Sequence, residues 1–118
     1  MDPGAGGAPD FVTAVLAVVD SIPRGHVMAY GDVAAVLGTR AARAVGTVMA
    51  RYGSDTAWWR VVRSGGAPPI GYEDRARAEY EREGTPLVET PSGYRVDVRI
   101  ARWSGPPADA WTHEPAGA

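Results

Sequence analysis

The sequence predicts a mainly α domain with a small β-hairpin, and three observations carry that prediction. Residues 10 to 51 hold three runs with helical apolar spacing, each closed by glycine or proline. A glycine-containing turn separates the second run from the third, which is the helix-turn-helix pattern. Further along, two strand-like runs flank Pro91-Ser92-Gly93, and a hairpin behind a helix-turn-helix gives a winged-helix-like domain. At 118 residues the chain can build one core and not two.

Asp10 can cap a first helix in which Phe11, Val15, Leu16, Val18, Val19 and Ile22 fall on one side, and Pro23 with Gly25 stops it. A second helix starts near Asp32 and turns Val33, Val36 and Leu37 inward before Gly38 ends it. Thr39 can cap a third, from about Arg40 to Arg51, whose buried side carries Ala44, Val45, Val48 and Met49. Arg40 and Arg43 then lie in its first turn, the end that a helix-turn-helix domain presents to DNA. Gly46, in mid-helix, lowers helix propensity and is expected to permit close approach of a neighbouring backbone.

Trp58 to Val62 is rich in aromatic and β-branched residues and reads as a short extended segment leading into a Ser64 to Gly71 loop. Glu73 to Glu83 is a charged amphipathic helix closed by Gly84. Pro86 to Thr90 and Tyr94 to Ile100 form the hairpin, with Val96, Val98 and Ile100 alternating against Arg95, Asp97 and Arg99. Residues 1–9 and 104–118 are rich in glycine, alanine and proline and read as flexible ends, leaving 10–103 as the domain.

Composition narrows the chemistry. With no cysteine the chain has no disulfide, no zinc-thiolate site and no thiol catalysis. His26 and His113 lack neighbours at ligand spacing, so no metal and no cofactor are expected. No run is long enough to span a membrane and no signal peptide is legible, which makes a cytoplasmic monomer, nucleoid-associated when on DNA, the expectation. The formal net charge of -2 hides an asymmetry. From Arg24 to Arg63 there are six arginines against Asp32 and Asp55, a net of +4, while the remainder is net -6. A basic segment on an acidic protein suits local docking on phosphates better than general coating of a polyanion. All twelve basic residues are arginine, a bias that reads as a GC-rich coding genome.

Five blocks follow one another in order: Ile22-Pro23-Arg24-Gly25, Ala29-Tyr30-Gly31-Asp32-Val33-Ala34, Ala42-Arg43-Ala44-Val45-Gly46, Trp58-Trp59-Arg60-Val61-Val62 and Glu83-Gly84. Together, over roughly residues 10 to 85, they resemble the DNA-binding domain of the O6-alkylguanine-DNA alkyltransferases. In those enzymes the fourth block reads Pro-Cys-His-Arg-Val, and its cysteine takes an alkyl group from a flipped-out guanine. Here Ala57, Trp58 and Trp59 stand at the first three places. That replacement resembles the alkyltransferase-like subfamily.

The resemblance implies a role for each matched residue. Trp58 would floor the lesion-base pocket, and an indole there offers a flat apolar wall and a stacking face. Tyr30 would touch both the pocket and the phosphate beside the flipped nucleotide. Tyr72 and Arg63 are further candidates for contact with the base. Arg43 would be the arginine finger that fills the vacated stack, with Arg40 beside it on DNA. Trp59 replaces the general base, so the thiol and its activator are both absent. Glu83, which orients that base in the enzymes, would become a structural acceptor, and Arg60 and Gly46 are structural near the site. Two departures stand out. The segment between Met49 and Trp58 is about two residues shorter than in the enzymes and has Tyr52 at the place of a hinge asparagine. No counterpart of the enzymes' N-terminal domain is expected, since about ten residues precede the first helix.

What this implies is a non-enzymatic sensor that binds double-stranded DNA containing O6-alkylguanine from the minor groove, flips the damaged nucleotide and marks it for nucleotide-excision repair proteins. A winged-helix transcription regulator is the first alternative, and it would discriminate among undamaged sequences. A base-modifying enzyme without a thiol is the second; Ser64 and Asp55 are its nearby candidates, and neither has a histidine in the motif to activate it.

Overall fold

The computed structural model describes residues 10–106. The expected flexible N-terminus and residues 107–118 of the expected tail lie outside the described residues. Helix α1 (Phe11–Ser21) begins as its sequence dictates, with the Asp10 carboxylate accepting from the Thr13 N–H at 2.8 Å. A two-residue strand β1 (Met28–Ala29) runs straight into α2 (Tyr30–Val36). The second helix therefore starts at Tyr30, two residues before the expected Asp32. Asp32 works from inside the first turn, where its carboxylate accepts from the Ala29 N–H at 2.9 Å.

Helix α3 (Ala42–Tyr52) also starts two residues away from expectation, this time later. Thr39 does not cap it. Its hydroxyl accepts from the Ala41 N–H, which holds Arg40 in the preceding turn. Arg43 is in the first turn of α3 and Arg40 is outside it.

After α3 the chain makes two short 3₁₀ turns, Gly53–Asp55 and Trp58–Arg60, before strand β2 (Val61–Val62). The extended conformation expected for Trp58 to Val62 is limited to its last two residues. β2 pairs in parallel with β1, Met28 opposite Val61 and Ala29 opposite Val62, a pairing with no sequence signal. Helix α4 (Glu73–Glu83) ends at Gly84 in the left-handed conformation. β3 (Leu87–Thr90) and β4 (Gly93–Val96) form the antiparallel hairpin. The second strand stops earlier than the alternation suggested. Asp97 accepts from the Arg99 N–H and caps a one-turn helix, α5 (Val98–Ala101), which leaves Ile100 exposed rather than on a strand face.

Two apolar clusters result. One gathers Val15, Val18, Val19, Met28, Val33, Val45 and Val48 from the three N-terminal helices and β1. The other joins Val27, just ahead of β1, to Val62, Ala76, Tyr80, Val96 and Ala101 from β2, α4, the hairpin and α5. The segment after α5 closes the molecule. Trp103 donates its N–H to the Val27 carbonyl at 2.8 Å, and Arg102 pairs with Asp32 at 2.6 Å. A Cβ at Gly105 would come within 3.0 Å of the Val36 side chain, so close packing continues past residue 103.

The loop after β2 depends on Gly66, whose φ is 99° and where a Cβ would fall 2.3 Å from the Val96 carbonyl oxygen. Gly38 has a similar φ, 77°, and open space around it. We therefore expect Gly66→Ala to destabilise the fold by about 3 kcal/mol or more, combining left-handed strain with a backbone clash. Gly38→Ala should lose only the strain, about 1 kcal/mol. Urea unfolding midpoints separate the two cases, and equal losses would mean that the loop moves freely off Val96.

Candidate nucleic-acid interface

The exposed face of α3 carries Arg43, Thr47 and Arg51 at four-residue spacing. With Arg40 just ahead of the helix, these residues make the densest free positive charge of the basic segment. Among the described residues none of the three arginines enters an ion pair. The other arginines between 24 and 63 are occupied. Arg24 reaches the Arg82 carbonyl, Arg60 is paired with Glu83, and Arg63 donates to the Pro68 carbonyl at 2.9 Å.

One turn along α3 from Arg43, Gly46 lines a cavity of about 280 Å³ that opens to solvent. Its other walls are Tyr30 at the start of α2, Trp58 on the second 3₁₀ turn, and Ile70 and Tyr72 on the loop before α4. Tyr30 directly follows β1 and Trp58 stands three residues ahead of β2, and both side chains pack against the N-terminal apolar cluster where they line the cavity. Trp58 sits edge-on to Trp59, with centroids 5.6 Å apart, and tilted against Tyr72 at 5.5 Å. It also packs against both apolar clusters, so the pocket wall is fixed from two sides. Burial raises the Tyr30 phenol above its ordinary value, opposed by the positive charge of Arg63. Tyr30 is therefore a neutral hydroxyl at physiological pH.

Behind the pocket lies an anchored carboxylate. Glu83, with only 1% of its side chain exposed, accepts from the Gly25 N–H, the Trp59 indole and the Arg60 guanidinium. Arg60 also donates to the Ile22 carbonyl at 2.8 Å. The buried Tyr80 hydroxyl donates to the Trp59 carbonyl at 2.6 Å. The 3₁₀ turn that holds Trp58 is thus tied to the end of α1, to the chain entering β1 and to α4.

The family description "6-O-methylguanine DNA methyltransferase, DNA binding domain" matches residues 10–85. The chain belongs to this family. A relative described as a DNA base-flipping protein of Escherichia coli (strain K12) is 36% identical over 97 residues, covering 80% of this chain and 74% of that one. A protein of the same description from Vibrio parahaemolyticus is 31% identical, over 79% of this chain and 95% of that one. Among solved structures, S. pombe Atl1 in complex with damaged DNA containing O6-carboxymethylguanine is similar at a TM-score of 0.71 and 31% identity, covering 79% of this chain and 94% of that chain. Within the methyltransferase family, the chain with Trp58 at the place of the reactive cysteine is an alkyltransferase-like member.

The structure sorts the residues that the resemblance singled out. Tyr30, Trp58 and Tyr72 meet around the cavity, with Arg43 one helical turn from it. Arg63 is not among the lining residues; its guanidinium is turned to the Pro68 carbonyl, and it borders a second, smaller cleft with Ser64 and Arg102. Gly46 does not admit a neighbouring backbone, because a Cβ there would meet nothing within 4 Å. The absent side chain leaves space in the pocket instead. Arg60, Trp59 and Glu83 form the anchored cluster. His26 is occupied with the Ala101 carbonyl at 3.2 Å, and His113 lies outside the described residues.

Sequence reasoning missed Arg75. Its guanidinium lies 5.7 Å from the Trp58 ring centre and 5.6 Å from that of Tyr72, and it lines the cavity. Its spacing pointed elsewhere, since Glu79 four residues on invites an ion pair. Glu79 is instead paired with Arg82.

Burial pushes the Glu83 carboxyl up, but hydrogen bonds from Arg60, the Gly25 N–H and the Trp59 indole, with the Arg60 charge, outweigh burial and hold it below its ordinary value of 4.5. A carboxylate depressed in the folded state stabilises the fold above the ordinary value and loses that contribution as pH falls through the depressed one. Wild-type stability should therefore decline below about pH 4.5, and Glu83→Gln should flatten that part of the profile. At pH 7, Glu83→Gln should lose about 3 kcal/mol by leaving Arg60 unpaired in a site where only 15% of its side chain is exposed. Urea titrations from pH 3 to pH 7 would measure both effects, and parallel profiles for the two proteins would show that Glu83 is not the titrating anchor.

Proposed function

We propose that the protein is a non-enzymatic sensor of O6-alkylguanine in duplex DNA. It docks α3 from the minor groove, turns the damaged nucleotide out into the Trp58-walled pocket, and holds it unrepaired as a mark for nucleotide-excision repair proteins. The observation that carries this reading is the pocket's chemistry and place. Its lining contains no cysteine, histidine, lysine or carboxylate, and it opens one helical turn from the arginine whose motif belongs to the finger position. Ser54 supplies a hydroxyl to the lining, and no histidine or carboxylate lines the cavity with it. The likeness to bacterial DNA base-flipping proteins and to S. pombe Atl1 in complex with damaged DNA supports the same reading.

The physical sequence is direct. Extruding a nucleotide costs a few kcal/mol of stacking and pairing. Two contributions offset it: stacking of the extruded base on an aromatic wall, about 1–3 kcal/mol, and the planar Arg43 guanidinium restacking in the gap. Apolar contact with the alkyl group adds to the pocket term only when the lesion is present. A bent and occupied duplex then presents a repair system with a larger target than one small adduct. The protein acts as a monomer, in the cytoplasm and on the nucleoid.

Trp58→Ala should weaken binding to a duplex with O6-methylguanine by about 1–3 kcal/mol, and binding to the matched guanine duplex by much less. Equilibrium titrations of the two duplexes at fixed salt read this directly, and equal losses would make Trp58 a general contact or core residue. Arg43→Lys keeps the phosphate attraction and loses the planar fork. We expect DNA saturated with this variant to show a fluorescent base analogue at the flip site that stays dim, whereas the parent brightens it. A variant that flips as fully as the parent removes Arg43 from the finger role.

A further inference from the structure

Thr47 stands at the centre of the exposed face of α3, one turn from Arg43 on one side and one turn from Arg51 on the other. Its hydroxyl donates to the Arg43 carbonyl at 3.2 Å. A hydroxyl has one proton and two lone pairs, so with its proton turned back onto the helix Thr47 presents an acceptor outward. The side chains around it are of the opposite kind. Arg40, Arg43 and Arg51 can only donate, and among the described residues none of them enters an ion pair. Along Arg43, Thr47 and Arg51, and in Arg40 ahead of them, the Thr47 oxygen is therefore the one side-chain acceptor.

We infer that Thr47 reads the base pairs beside the lesion, favouring G·C over A·T there by accepting from the guanine N2 amino group in the minor groove. The inference rests on the minor-groove docking of α3 proposed above and deepens it. In that groove an A·T pair shows acceptors only, whichever way round it lies, and a G·C pair adds one donor, the guanine amino group. Arginine suits the acceptors of either pair. The amino group has no partner in a guanidinium and finds one in Thr47. Four residues of helix rise roughly 6 Å, and base pairs are about 3.4 Å apart, so Thr47 meets a pair one or two steps from the gap that Arg43 fills. The chain's use of arginine for all twelve basic residues reads as a GC-rich coding genome, in which G·C is the usual neighbour of a lesion.

The test uses the full chain and duplexes that carry O6-methylguanine, or guanine, at one site and differ in the base pairs within two steps of it. Those pairs are G·C, inosine·C, A·T or 2,6-diaminopurine·T. Inosine deletes the minor-groove amino group from the guanine pair and diaminopurine adds it to the adenine pair, while the major-groove edges stay as they were. Titrations at fixed salt give two ratios for each protein, the gain in affinity from the amino group in either context. The amino group also strengthens its own base pair, a contribution common to every variant, so the wild-type ratio is compared with that of Thr47→Val, which keeps the branched shape without the oxygen. Both wild-type ratios should exceed those of Thr47→Val by about three- to tenfold, and Thr47→Ser should behave as wild type. Thr47→Ala, with its better helix propensity, repeats the comparison should valine disturb α3. A wild type indifferent to the amino group overturns the inference. So does a loss in Thr47→Val and Thr47→Ala that is equal across the four flanks, which would assign the hydroxyl to the DNA backbone or to the helix alone. If no lesion duplex binds more tightly than its guanine counterpart, the lesion-binding reading is what fails, and the flanking ratios are read independently of it.

Discussion

The Arg60–Glu83 pair is the constraint on which the rest of the site depends. Three parts of the chain that are distant in sequence converge on one buried carboxylate: the Gly25 amide after α1, the Trp59 and Arg60 side chains of a 3₁₀ turn, and Glu83 at the end of α4. Buried ion pairs are poor evidence for stability in general, because desolvation opposes attraction. This one differs in how completely it is satisfied. Both carboxylate oxygens accept, and the guanidinium reaches a backbone carbonyl besides. Removing either partner would strand a charge, so the arrangement is held as a unit and fixes where the turn bearing Trp58 can sit.

From that fixed turn, Trp58 reaches outward between the two apolar clusters and, among the described residues, is the one partly buried hydrophobic residue packed against both. A residue in that position cannot be adjusted independently of the fold. Its placement explains how a pocket without reactive groups can still be well defined: rigidity comes from packing and the Glu83 anchor, and the indole, Tyr72 and Tyr30 supply the aromatic lining. The anchor that in an enzyme would orient a base serves here to orient a wall.

Helices α1 and α4 were legible in the sequence almost to the residue, because Asp10 and Gly84 are cap residues with one dominant geometry. The starts of α2 and α3 were not. Asp32 and Thr39 each make the side-chain to backbone bond that their types suggest, but from a different position relative to the helix start, and propensity does not encode that offset. The alternation from Tyr94 to Ile100 was a true strand pattern for three residues; beyond Val96, capping by Asp97 overrode it. The β1–β2 pairing, two residues long and parallel, is set by tertiary packing and leaves no periodicity to read. Within the pocket, the aromatic residues were legible through their motifs. Arg75 was not, since its sequence neighbours offered a conventional ion pair and its contacts are with rings brought in from elsewhere.

Helix α3 shows how one short element can serve fold, docking and pocket together. Its inward side carries Val45, Val48 and Met49 into the core, while Arg43, Thr47 and Arg51 stand exposed on the face suited to phosphates. Between these two sides runs an edge of small residues, Gly46, Ala50 and, just past the helix, Gly53, and all three line the cavity. At Gly53 the reason for a small residue is packing, since a Cβ would meet the Met49 side chain at 2.9 Å. At Gly46 nothing in the protein occupies the space a side chain would fill. The glycine at that position lowers helix propensity by up to about 1 kcal/mol relative to alanine, and no contact within the fold offsets it. What the glycine leaves in exchange is open space on the α3 wall of the cavity, the side on which the proposed function seats the extruded base.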